Sequence, residues 1–138
     1  MEEVITNETA TEAWIAYLKA QTSVVALLSS SLQIKETEWQ GDQFKYPGIR
    51  VSLDFEVGDD ICFPDSMTVY LDTFSEQKSS KEAVHITATL LTTLRNLGSF
   101  TQNGIKFFMI YTRKVTRPNR IESGAWQSTL EINAKASG

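Results

Sequence analysis

Two periodicities divide the chain. Near its start, Ala13, Trp14, Tyr17 and Leu18 recur at helical spacing behind Thr9-x-x-Glu12, which has the form of a capping box. In that motif the Thr9 hydroxyl accepts from the Glu12 N–H and the Glu12 carboxylate returns to Thr9, so the spacing predicts a helix over roughly 10–21. Thr22-Ser23 interrupts it. Val24, Val25, Leu27 and Leu28 read as a short second helix, closed by Ser29-Ser30-Ser31, and Leu32-Gln33-Ile34 reads as a short strand. The segment from Glu36 to Lys45 is polar and predicts a loop carrying Trp39.

From there the period changes to two. Tyr46-Pro47-Gly48 leads into a strand in which Ile49, Val51 and Leu53 alternate with Arg50, Ser52 and Asp54. Proline lacks the ladder N–H and belongs at such a strand start. Phe55 to Pro64 reads as a loop or extended arm. Met67, Val69 and Leu71 alternate with Thr68, Tyr70 and Asp72, a second long strand antiparallel to the first. Ser79-x-x-Glu82 then opens the best-marked element. Ala83, Ile86, Leu90, Leu94 and Leu97 form one stripe, Arg95 lies in the last turn, and Gly98 stands where a left-handed residue ends a helix, predicting a helix over roughly 80–97. Asn103-Gly104 marks a tight turn. Ile105 to Thr112 is apolar on both faces, with Phe107, Met109 and Tyr111 on one and Phe108 and Ile110 on the other, as in a strand covered on both sides. A polar loop follows from Arg113 to Gly124. Trp126, Ser128, Leu130, Ile132 and Ala134 alternate with polar residues in the last strand. The order α-α-β-β-α-β-β predicts an α+β fold, a mostly antiparallel sheet packed by helices, in a single domain over residues 1–138.

Composition narrows the function. A chain of 138 residues buries about two thirds of its extended surface, enough for one core. Seventeen acidic against thirteen basic side chains leave a net charge of −4, without the basic footprint of a nucleic-acid binder. One cysteine, Cys62, excludes an internal disulfide and a cysteine-based zinc site. The apolar run Val24–Leu28 is far too short to span a bilayer, and Met1-Glu2-Glu3 is not the basic start of a secretion signal. A soluble protein of a reducing compartment is expected.

Catalytic equipment is sparse. Asp59-Asp60 suggests a cation site, but Asp54, Glu56, Asp59, Asp60 and Asp65 lack the ligand order of a calcium loop and read as a solvated acidic segment. His85, the single histidine, sits one step off the apolar stripe of its helix, with no motif supplying a nucleophile or carboxylate partner. Cys62 lacks a Cys-x-x-Cys partner and reads as a small apolar side chain. Phe107, Phe108 and Tyr111 lack the glycine-rich, basic context of an RNA-stacking sheet. No enzymatic activity, metal or cofactor is expected.

Charge segregation is more informative. Asp54 to Asp65 carries five acids and no Lys or Arg, whereas Arg113 to Arg120 carries Arg113, Lys114, Arg117 and Arg120 and no acid. Opposite signs on two segments suit head-to-tail self-association, which closes into rings or grows into filaments. Charge alone does not separate this from two independent solvated loops.

The succession of elements resembles the tail terminator (tail completion) proteins of long-tailed bacteriophages, over about residues 11–135. The resemblance is carried by two N-terminal helices ending in Val24-Val25-Ala26-Leu27-Leu28, by Tyr46-Pro47-Gly48-Ile49-Arg50-Val51, and by Met67-Thr68-Val69-Tyr70-Leu71-Asp72-Thr73-Phe74 running into the long helix. A strand, a polar loop and a final strand complete the pattern. It implies a subunit of a hexameric ring that caps the tail tube, ends its polymerisation and offers a joining surface to the head–tail connector or neck. Its partners would be other copies of itself, the tail tube protein and the connector. No membrane is implied, and DNA only by passage through the ring lumen. Such a protein would be assembled in the host cytoplasm and reside in the virion. The interface candidates are then Asp54, Glu56, Asp59, Asp60, Arg113, Lys114, Arg117 and Arg120. Three other readings stay open: a head-side neck or tail-tube-like subunit, an adaptor that binds peptides by strand addition, and an enzyme with a pocket near His85 or the acidic segment.

Overall fold

A computed structural model describes residues 5–28, 33–36, 47–56, 58, 65–76, 80–121 and 124–137. The expectations for Trp39, Asp59, Asp60, Cys62 and Ser79 lie outside the described residues. The elements are α1 (Asn7–Lys19), α2 (Thr22–Val25), β1 (Ile34–Glu36), β2 (Gly48–Glu56), β3 (Asp65–Ser75), α3 (Lys81–Leu94), β4 (Gly98–Gln102), β5 (Ile105–Val115), β6 (Asn119–Arg120) and β7 (Trp126–Ser137). The fold is the expected α+β arrangement, with β1, β4 and β6 as short additions to its order.

The cap of α1 lies one turn earlier than the sequence motif places it. Thr6 is the N-cap: its hydroxyl accepts from the Thr9 N–H at 3.1 Å, and the Thr9 hydroxyl accepts from the Thr6 N–H at 2.9 Å. Two threonines close the reciprocal box that Thr9 and Glu12 were expected to make. The shift puts the buried Ile5 and Ala10 at the two positions of a hydrophobic staple, so core burial favours the earlier start. Asn7 then ties the helix to the sheet by donating to the Leu53 carbonyl at 2.9 Å.

The stripe of α3 behaves as its spacing dictates. Ala83, Ile86, Leu90 and Leu94 are buried, and Leu97, beyond the helix end, packs against the same core. Ser80 is the N-cap without a side-chain bond, and Glu82 instead accepts from the Ser75 hydroxyl at 2.7 Å. Four threonines of α3 satisfy themselves by donating to carbonyls one turn back, among them the buried Thr87 to Ala83 at 2.9 Å. His85 is exposed on the opposite side.

The strands form one sheet in the order β1-β2-β3-β7-β5-β4, with β6 paired to β7 beyond the end of β5. Among the described strands only β1 and β2 pair in parallel. The last strand is thus central, hydrogen-bonded to β3 on one side and to β5 and β6 on the other. Asn103 and Gly104, both at positive φ, make the tight β4–β5 turn that their sequence announces. All three helices lie on one face. There Ile49, Val51 and Leu53 of β2, Val69 and Leu71 of β3, and Leu130 and Ile132 of β7 meet the helical stripes in one core. The sheet curls far enough for strands at both of its edges to reach α1. Trp14, fully buried, meets Phe100 of β4 edge-on at 4.9 Å and Phe107 of β5 at 5.5 Å, and Tyr17 stacks on Phe100 at 3.9 Å.

The strand expected to be covered on both sides is instead covered on one. Between Phe108, opposite Lys135, and Tyr111, opposite Asn133, two residues of β5 face one of β7. This is a β-bulge, and it reverses the inside–outside phase. Phe107 and Ile110 both point into the core, while Met109 turns out at φ 50°. A second register shift leaves Arg113 as the extra residue between Thr112 and Lys114. The segment expected as a loop from Arg113 is therefore strand through Val115. After a short connection it is strand again at Asn119–Arg120, so Lys114 and Arg120 are ladder residues, Arg113 is the bulged residue of β5 and Arg117 lies in the connection. Likewise β2 runs through Phe55 to Glu56 rather than ending at Asp54.

Candidate functional site

No described helix covers the second face of the sheet. Its side chains come from the polar half of each alternating strand, and strand register sets them in rows. One row runs Asp54, Thr68, Asn133, Tyr111 across β2, β3, β7 and β5; its neighbour runs Ser52, Tyr70, Glu131, Lys114. Cross-strand neighbours on one face stand close enough to bond directly. Tyr70 donates its hydroxyl to Asp54 Oδ2 at 3.0 Å, Thr68 donates to Asn133 Oδ1 at 3.1 Å, and Asn133 Nδ2 donates to the Tyr111 hydroxyl at 2.7 Å. One row further along, the Thr129 hydroxyl donates to Asp72. The hydrogen bond to Asp54, then desolvation and the nearby carboxylates, raise the Tyr70 phenol above its ordinary value of 10.0, against a lowering by Arg113.

The charged candidates divide between two sides of this face. Asp54 and Glu56 lie exposed at the end of β2, and Asp65, at the start of β3, accepts from the Gly58 N–H at 2.8 Å. Arg113, Lys114 and Arg117 lie on and just past β5, about 14 Å away across three strand spacings. The structure brings acids and bases to one surface without pairing them with each other inside the molecule. Among the described residues Arg113 forms an ion pair with Glu131 alone, at 4.0 Å with the guanidinium largely exposed, a contact worth well under about 1 kcal/mol. Arg120 is engaged locally: its Nε donates to the Gly124 carbonyl at 3.2 Å and its guanidinium lies 5.8 Å from the Trp126 ring centre. Lys114 and Arg117 are exposed and have no partner among the described residues.

Between the two charged sides is a shallow concavity of about 390 Å³, lined by Asp54, Glu56, Ser66, Thr68, Met109, Tyr111, Asn133 and Lys135 among others. Met109 and Tyr111 are 62% and 55% exposed, among the most exposed large apolar side chains described. The sequence pattern places Met109 on one side of a doubly covered strand, and the structure exposes it. The nearest signal of its real position was the unbroken run Phe107-Phe108-Met109-Ile110-Tyr111, which fails to alternate. A non-glycine residue at φ 50° carries backbone strain of about 1–2 kcal/mol.

Among the described residues no group of three or more His, Cys, Asp or Glu is placed to hold a metal ion, and no helix is long and apolar enough to cross a membrane. His85 stands on the far side of the molecule from the concavity, on an exposed helix surface, so the two do not form one site.

No protein-family profile matches the sequence, and no curated protein matches it. Among solved structures, the fold is similar to a chain of the virion of native gene transfer agent (GTA) particle. The TM-score is 0.70 at 15% identity, and the match covers 93% of this chain and 94% of that one. The likeness therefore spans the whole fold, from α1 to β7, rather than a shared sub-motif.

Proposed function

We propose that this chain is a structural subunit of a phage-like particle, and that it closes into a ring on the end of a tail tube, as the tail terminator resemblance implies. The observation that carries the proposal is the end-to-end match of its fold to a virion chain of nearly the same length. The surface supports the same reading. A sheet face that no described helix covers, with acids on one side and bases without a described partner on the other, suits a heterologous contact, in which two different patches of each copy meet. The role is mechanical and involves no covalent chemistry. In the ring, one rim meets the tube and the other is presented to the connector.

A head-side neck subunit has the same fold requirement, since function resides in surfaces grafted on the fold. Native mass spectrometry of the purified protein, followed by electron microscopy with and without tail tubes, tests the proposal. Closed rings, predominantly hexamers, that seat on tube ends are expected. Long tubes would assign the chain to the tube itself, and rings that bind only the head connector would assign it to the neck. A strict monomer in every setting would refute an assembly role.

A further inference from the structure

The outward turn of Met109 is the least economical feature of the fold. A bulge was needed to reseat Ile110 in the core, yet glycine, the residue that adopts φ 50° without strain, is absent from it. Instead a long, unbranched apolar side chain stands exposed at the edge of a concavity. Bulges that re-aim a side chain are concentrated next to functional surfaces, and methionine adapts its shape to a partner. The floor beside it is held by the Thr68–Asn133–Tyr111 hydrogen bonds, so the surface is organised before anything binds. Asp54 and Glu56 line the far wall and Lys135 the near one, leaving the concavity net acidic. The chain itself carries the complementary chemistry. Lys114 and Arg117 are exposed, lack partners among the described residues, and flank the exposed Val115.

We propose that the Met109 bulge and the acidic concavity beside it receive a second copy of this chain, which enters with its Lys114–Arg117 segment. Met109 and Tyr111 pack on the apolar stems of the incoming side chains and on Val115. Asp54 and Glu56 meet the cationic heads. The receiving patch and the entering segment are different patches of the same sheet face, so a contact that joins one to the other is heterologous, the type that closes into rings. The inference rests on the ring reading and specifies its interface.

Sedimentation velocity over a concentration series, with thermal melts of each variant, tests it. Met109→Gly removes the anchor and the strain together. Its melting temperature should equal or exceed that of the parent, while its self-association weakens at least tenfold. Met109→Asn, which tolerates the same backbone but is polar, should also weaken association. Glu56→Arg and Arg117→Glu should each weaken association. The two together in one chain should restore it, since every contact then joins the same two positions with their charges exchanged. Met109→Gly rings as stable as the parent's would overturn the anchor and leave the ring reading standing. A double variant no better than the single ones would overturn the choice of entering segment. A parent chain that never self-associates would remove both readings.

Discussion

The two faces of the sheet are built from the same strands and behave oppositely. On the helix side, alternate residues of β2, β3 and β7 are buried and mostly apolar, with Thr73, Ser75 and Ser128 as polar exceptions, and the apolar ones share one core with α1 and α3. Each fully buried Leu or Ile there contributes about 1.5–3 kcal/mol relative to exposure. On the other side the intervening residues are mostly polar, half-buried or exposed, and several bond to cross-strand neighbours, Tyr70 diagonally to Asp54 and Asn133 along its row to Tyr111. Surface hydrogen bonds of this kind contribute little net stability, because water competes for the same groups. The fold is thus held from one side. The other side is free to vary in charge and shape without unfolding the protein, which is what a surface built for a partner requires.

That contrast breaks first at Trp14. The indole sits where the curled sheet closes on α1, and Trp14→Ala should cost about 3–5 kcal/mol in a denaturant melt, with β4 loosened most because Phe100 loses one of its aromatic partners. A loss below about 1 kcal/mol would mean that the sheet does not close on α1. Leu90→Ala tests the second half of the core. It should cost about 2–5 kcal/mol, since Leu90 is fully buried on the α3 stripe. An unchanged melt would place that stripe against solvent or a partner.

Substitutions on the open face should do the reverse. Lys114→Glu with Arg117→Glu should leave stability within about 0.5 kcal/mol, as expected of surface positions. Assembly, read by native mass spectrometry, should fall and become insensitive to salt. Each exposed pair is worth about 0.2–1 kcal/mol, but several across one interface amount to roughly a hundredfold in affinity. Arg120 is a poorer choice for this test, because its contacts with Gly124 and Trp126 would be lost inside the subunit.

The smallest effect is alkaline. Tyr70, raised chiefly by its hydrogen bond to Asp54, and Tyr17, raised by burial, both hold their protons more tightly in the folded state than the ordinary value of 10.0. The unfolded chain therefore releases those protons first as pH rises. The stability these two groups contribute should be fully present below pH 10.0 and be lost as pH rises from there through the folded values. Tyr70→Phe should make that fall shallower, measured by melting temperature against pH. An identical slope would show that the bond to Asp54 does not persist in solution.

Local periodicity was enough to reveal most of the elements. The period-two strands Ile49–Leu53, Met67–Leu71 and Trp126–Ala134, the α3 stripe and the Asn103-Gly104 turn are all legible from neighbours a few residues apart, because each is a local preference of backbone and side-chain spacing. The segregation of acidic and basic segments was legible for the same reason. What the tertiary structure decided depends on residues far apart in sequence. The short, polar β4 forms because β5 offers it a ladder and Trp14 offers Phe100 a partner, neither of which appears in Gly98–Gln102 itself. The α1 cap moved one turn because Ile5 found a place in the core. The phase of β5 reversed because β7 presents a single residue, Ala134, opposite Met109 and Ile110, and only one of the two could occupy the core. That choice buried Ile110 and exposed Met109. Strand order then set Asp54 and Lys114 on one face, three strands apart, a juxtaposition that no spacing along the chain encodes.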